Sequence, residues 1–139
     1  MFDINILAVV LGAVASMVVG GLWYSPLLFL KKWMALLEID PACLTADKKP
    51  PMGKAYTLTF LSTLVASFGL NALMSGVGIE SVSGGAVAGA FVWLAFSVTT
   101  TLPSFVFSHK PKPWALFAID NSMHLVSLVI NGIVIAALM

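Results

Sequence analysis

Pro113-Trp-Ala-Leu-Phe-Ala-Ile-Asp-Asn-Ser-Met-His-Leu-Val-Ser-Leu-Val-Ile-Asn-Gly-Ile-Val-Ile-Ala-Ala-Leu138 is an apolar run interrupted by two ionisable side chains, Asp120 and His124. Crossing a hydrocarbon core of ~30 Å takes roughly 20 apolar residues in a helix, so the run is long enough to span a membrane. Proline favours the first helical turn, which sets the start at Pro113. A carboxylate at membrane depth costs roughly 2.5 to 3.5 kcal/mol on insertion scales, so Asp120 is a candidate functional residue. His124 follows at i+4 and shares its helix face.

The same pattern recurs upstream. Uncharged stretches cover 4–30, 55–79 and 81–108, and the chain as a whole is 60% hydrophobic and 9% charged. That composition excludes an ordinary soluble domain. The fold expected is all-α, a polytopic membrane protein of four transmembrane helices over about 5–24, 53–75, 83–107 and 113–138. These form a single domain over 1–139, and a short cytoplasmic interfacial helix over 26–38 follows the first span. Ser25-Pro26 supplies an N-cap and a first helical residue for it. Asp40-Pro41 can cap one short turn before the Pro50-Pro51 break, and Ser81 or Ser83 suits the start of the third span.

Orientation follows from lysine. Lys31, Lys32, Lys48, Lys49 and Lys54 lie after the first span, Lys110 and Lys112 after the third, and arginine is absent. Positive residues stay inside, which places both loops in the cytoplasm and both termini outside. Trp23, Tyr24, Trp33, Tyr56 and Trp114 gather near the same ends, as interfacial aromatics do. A net charge of +1 without arginine gives no reason to expect nucleic acid as a partner. Cys43 is the one cysteine and has neither a disulfide partner nor a metal motif. His109 and His124 are too far apart for one metal, so no metal or other cofactor is expected. No serine or cysteine stands with a histidine base at readable spacing, and an enzyme is not expected.

Small residues set the packing. The first span places Ala8, Gly12, Ser16 and Gly20 at four-residue intervals, and the third places Gly85 and Gly89 likewise. Such spacing lets helix backbones approach closely in lipid, either within the chain or in a homo-oligomer. Polar residues form two further stripes: Asp120, His124, Ser127 and Asn131 on the fourth span, and Thr59, Thr63, Ser67 and Asn71 on the second. Counted at 1.5 Å per residue from Trp114, Asp120 lies about 9 Å and His124 about 15 Å into the span. The stripes reach matching depths, so they are expected to face each other or a shared cavity.

Histidine's unperturbed pKa of about 6.5 lies near neutrality, and a carboxylate beside it could serve a proton-coupled or cation-binding site. The alternative is that the same residues only fasten helices by hydrogen bonds worth on the order of 1 kcal/mol each. The outer half of the stripe, Ser127 and Asn131, does not titrate, so no proton wire across the membrane is spelled out.

Gly20-Gly-Leu-Trp-Tyr-Ser-Pro-Leu-Leu-Phe-Leu-Lys-Lys-Trp-Met34 carries a recognisable signature. A glycine before Trp23, Tyr24, Ser25 and Pro26, then Phe29, then Trp33 and Met34, resembles the bacterial family of small membrane proteins called domain of unknown function 1761. Gly89 and Trp93 in the third span extend the resemblance over nearly the whole chain. It implies a four-span architecture and the bacterial inner membrane, and brings no activity or binding residues with it. It also directs interest to Tyr24 and Ser25, whose hydroxyls stand beside a helix N-terminus suited to anions, although interfacial anchoring is the simpler role. The expected function is transport, conduction or sensing of a small solute or ion; the rival is a membrane scaffold or accessory subunit.

Overall fold

The computed structural model describes residues 3–44 and 51–139. Lys48, Lys49 and Pro50, invoked above for orientation and for a chain break, lie outside the described residues.

Helix α1 (Ile6–Trp23) starts where the Asn5 side chain accepts the backbone N–H of Ala8 at 3.1 Å, satisfying one of the orphan donors every helix start exposes. It stops at Tyr24-Ser25-Pro26. The Ser25 hydroxyl donates back to the Leu22 carbonyl at 2.7 Å, so it caps no following helix. Residues 26–29 are consequently turns, with the N–H of Leu28 and of Leu30 on the Ser25 carbonyl. Helix α2 (Leu30–Leu36) is therefore shorter than the expected 26–38. Asp40 does cap a short turn, Pro41–Leu44, by accepting the Ala42 N–H at 2.9 Å.

Helix α3 (Gly53–Val77) ends on Gly78 in the left-handed conformation at φ 77°. The Ile79 N–H closes back on the Met74 carbonyl at 2.9 Å, the arrangement that lets a glycine finish a helix without strain. Ser81 then caps α4 (Val82–Val92) through the Gly84 N–H at 3.1 Å. A wide π-helical turn, Trp93–Val98, leads without a break into α5 (Thr99–Val106), so the third span is one helix from Val82 to Val106. Helix α6 (Trp114–Leu138) begins directly after Pro113.

Among the described residues, four helices are long and apolar enough to cross a membrane: Ile6–Trp23, Gly53–Val77, Val82–Val106 and Trp114–Leu138. By that measure the chain is an all-α membrane protein. Helix α6 is central. It packs on α1 along one side and on α4 along the other, while α3 rests mainly on α1.

The apolar core, Ala8, Leu70, Met74, Ala88, Ile135 and Ala136, lies toward the end that carries both termini, with Ile79 and Val92 against it. The other end is open. Helix α3 is exposed from Gly53 to Thr59 and buries Ser67, Leu70, Asn71 and Met74 in its second half; α5 has no buried residue. The helices thus converge away from the lysines and splay towards them.

Glycines make the convergence possible. A Cβ on Gly85 would overlap the Gly132 carbonyl, one on Gly89 the Leu128 carbonyl, and one on Gly132 the Gly85 carbonyl. The partner of the third-span glycines is therefore α6 of the same chain, the close backbone approach that small residues permit in lipid. On α1, Gly12 instead makes room for the side chains of Asn131 and Ser67, and Ser16 is buried. Gly20 departs from the expectation, having nothing within 4 Å of a built Cβ. It lies on the splayed half, beyond the reach of a neighbouring helix.

Candidate functional site

The fourth-span stripe divides into two separate polar centres. In the convergent half, Asn131 Nδ2 donates to Ser16 Oγ at 3.2 Å. Its Oδ1 stands 3.0 Å from the Ser67 hydroxyl, whose single proton also has the Val9 carbonyl at 2.8 Å. One asparagine thus joins α1, α3 and α6. Asn71, one turn from Ser67, is fully buried, and neither its Nδ2 nor its Oδ1 has a hydrogen-bond partner among the described residues. Ser127 is buried on α6 between the two centres.

In the splayed half the stripes part company. Thr63 is half-buried and its hydroxyl donates to the Phe60 carbonyl at 2.8 Å; exposed Thr59 donates to Ala55 at 2.8 Å. Both are turned onto their own helix. The expected pairing of the second and fourth spans therefore holds at Ser67 and Asn131 and fails at Asp120, because α3 has diverged by that depth.

Asp120 is instead held by the segment that follows α1. Tyr24 Oη donates to its Oδ1 at 2.6 Å and Trp33 Nε1 to the same oxygen at 3.0 Å. The rings of Tyr24 and Trp33 meet edge to face at 5.4 Å, a favoured aromatic geometry. Burial, then the hydrogen bond from Tyr24 to Asp120 and the adjacent charge, push the Tyr24 phenol above the ordinary tyrosine range. The phenol accordingly stays a proton donor. Oδ2 of Asp120 accepts no hydrogen bond from the described residues.

Indole N–H groups grip the residues on either side. Trp23 Nε1 donates to the Ile119 carbonyl at 3.0 Å, and Trp93 Nε1 to the Asn121 carbonyl at 2.8 Å. Asn121 Oδ1 further accepts from the Thr101 hydroxyl at 3.0 Å. Three consecutive residues of α6 are thereby fastened from both flanks. Trp23 and Trp33 serve as ligands of α6 rather than as free interfacial anchors. Phe29 packs on Trp23 at 4.8 Å between ring centroids, and Met34 is buried under α2. The anion role suggested for Tyr24 and Ser25 fails, since both hydroxyls already donate, to Asp120 and to Leu22.

A cavity of about 520 Å³ opens beside Asp120, walled by α5, α6 and the Tyr24 and Trp33 side chains. Thr100, Thr101, Ser104 and Phe105 line one side, Phe117, Asn121 and His124 another, and Lys112 the rim. His124 borders this cavity and is exposed, with no hydrogen bond to Asp120. The π-helical turn is what sets the threonines here. Pro103 has no N–H for the carbonyl four residues back, and the hydroxyls of Thr99, Thr100 and Thr101 reach Ala95, Phe96 and Ser97 carbonyls at 2.6 to 2.7 Å. Among the described residues, no group of three or more His, Cys, Asp or Glu gathers to hold a metal ion.

Neither Asn121 nor Thr101 is among the candidate residues read from the sequence, and Trp93 enters only through the family resemblance. Asn121 adjoins Asp120, but no spacing shows that an indole N–H reaches a helix carbonyl.

Fold and site together define a small polytopic helical protein with an intramembrane carboxylate clasped by aromatic donors. Residues 7–136 match the family described as Protein of unknown function (DUF1761), and the chain belongs to that family. Comparison with curated proteins and with solved structures returned no match.

Proposed function

We propose that the chain binds a small solute or ion at Asp120, as a transporter, channel or sensor of the bacterial inner membrane, with its lysine-bearing loops in the cytoplasm and its termini outside. One observation carries this: Asp120 has one carboxylate oxygen fixed by Tyr24 and Trp33 and the other without a hydrogen bond among the described residues, beside a cavity of about 520 Å³. Ligand sites are commonly concave, largely apolar and supplied with a few fixed polar groups, at 300 to roughly 1,000 Å³. A carboxylate retained at this depth for packing alone would be expected to have both oxygens satisfied.

The rival scaffold reading draws on the other centre, where Ser16, Ser67 and Asn131 do nothing visible beyond joining three helices. Asp120→Asn separates the two readings. The amide preserves an acceptor for Tyr24 and Trp33, so under the first reading the reconstituted variant stays folded and loses solute flux or binding. Loss of the folded protein with no flux in the parent would favour the scaffold.

A further inference from the structure

Donors and acceptors around the Asp120 cavity are unequally spent. Tyr24 Oη and Trp33 Nε1 are committed to Asp120, and Asn121 Nδ2 to the Phe117 carbonyl at 3.1 Å. The hydroxyl protons of Thr100 and Ser104 go to the Phe96 and Thr100 carbonyls, and that of Thr101 to Ser97 or Asn121. A hydroxyl that has donated keeps its lone pairs. What the walls therefore offer is chiefly acceptors, Asp120 Oδ2 and three hydroxyl oxygens, beside the second Asn121 Nδ2 proton. Apart from Leu116, the apolar part of the wall is aromatic, including Tyr24, Trp33 and Phe117, and aromatic faces attract cations. Against these stand His124, and Lys112 at the rim.

We propose that this cavity takes a small organic cation, a protonated or quaternary amine, with Asp120 as its counter-charge; the proposal rests on reading the cavity as a ligand site. A bare divalent metal suits the walls poorly, because calcium and magnesium want several oxygen ligands at short range and only one carboxylate is present. A sugar suits the walls less well, because it needs several donors beside its acceptors and the hydroxyl, phenol and Trp33 indole protons are committed, leaving one Asn121 amide proton, His124 and Lys112. An anion would face an open carboxylate oxygen. Lys112, which also lines the cavity, is a like charge that opposes such a cation.

The test is calorimetric titration of the purified full-length protein in detergent with ethylammonium, tetramethylammonium, sodium and acetate at fixed ionic strength. Expected is binding of at least one of the two ammonium probes, weakened at least about tenfold by Asp120→Asn and tightened severalfold by Lys112→Ala. Circular dichroism checks folding, and Lys112→Ala, outside the span, carries the test alone should Asp120→Asn fail to fold. Acetate binding that Lys112→Ala weakens would overturn the cation proposal and leave a ligand site standing, as would binding of sodium alone. Absence of binding by every probe, in folded protein, would overturn both.

Discussion

Asp120 meets donors from residues 96 and 87 positions away in the chain, and these determine what the carboxylate can do. With Oδ1 taken twice and Oδ2 untaken, the group is oriented as well as retained. The raised Tyr24 pKa has a direct consequence: an acid whose pKa rises keeps its proton to higher pH. The tyrosinate absorbance lost in Tyr24→Phe should therefore be nil at about pH 10, where an ordinary tyrosine is half ionised. A difference of half a tyrosinate there would place Tyr24 in water. Two of the buried asparagines, Asn131 and Asn71, offer a contrast of the same kind. Asn131→Leu removes bonds to two helices and should lower the thermal midpoint, by about 1 to 2 kcal/mol in stability. Asn71→Leu removes no bond and relieves an unpaired buried amide, so stability should hold or rise. Equal losses in both, measured in one detergent, would contradict the hydrogen-bond assignment.

At the scale of elements, the glycines differ in what surrounds them. Gly132→Ala drives a methyl group into the Gly85 backbone, which cannot swing aside as a side chain can, and should destabilise by about 1 to 3 kcal/mol. Gly20→Ala meets nothing and should be neutral or mildly stabilising. A matched pair of unfolding curves decides, and a reversed order would overturn the α4–α6 contact. Much at this scale was legible beforehand. The four apolar runs, the Ser81 and Asp40 caps and the Pro113 start follow from local chemistry, which neighbouring residues carry. The Gly85 and Gly89 face was legible too, though not its partner. What escaped was long-range: which helix meets Asp120, and that α3 diverges. A stripe's depth can be counted from the sequence, but the crossing angle that brings two stripes together or apart is set by packing elsewhere, here at Gly12, Gly89 and Gly132. The Ser25 turn escaped for a different reason. A serine hydroxyl can cap forwards or bond back to the preceding turn, and spacing does not distinguish the two.

Across the whole molecule, one end is tied and the other open. Glycine contacts, the apolar core and the Asn131 bonds close the half near the termini, while Tyr24, Trp33 and α2 reach across the splayed half to hold Asp120. A ligand that engages Oδ2 would share the carboxylate with donors carried next to and on α2, which hold Oδ1, so under the proposed reading its binding bears on that segment. Binding at Asp120 requires that its cavity be wet, and the splayed end makes the lysine side its entrance. Placing Thr100→Cys on a Cys43→Ser background, in sealed vesicles of known orientation, and treating with a charged, membrane-impermeant thiol reagent probes both. Rapid modification from the lysine side alone is expected. An unreactive cysteine in folded protein, or one modified only from the opposite side, would contradict this reading.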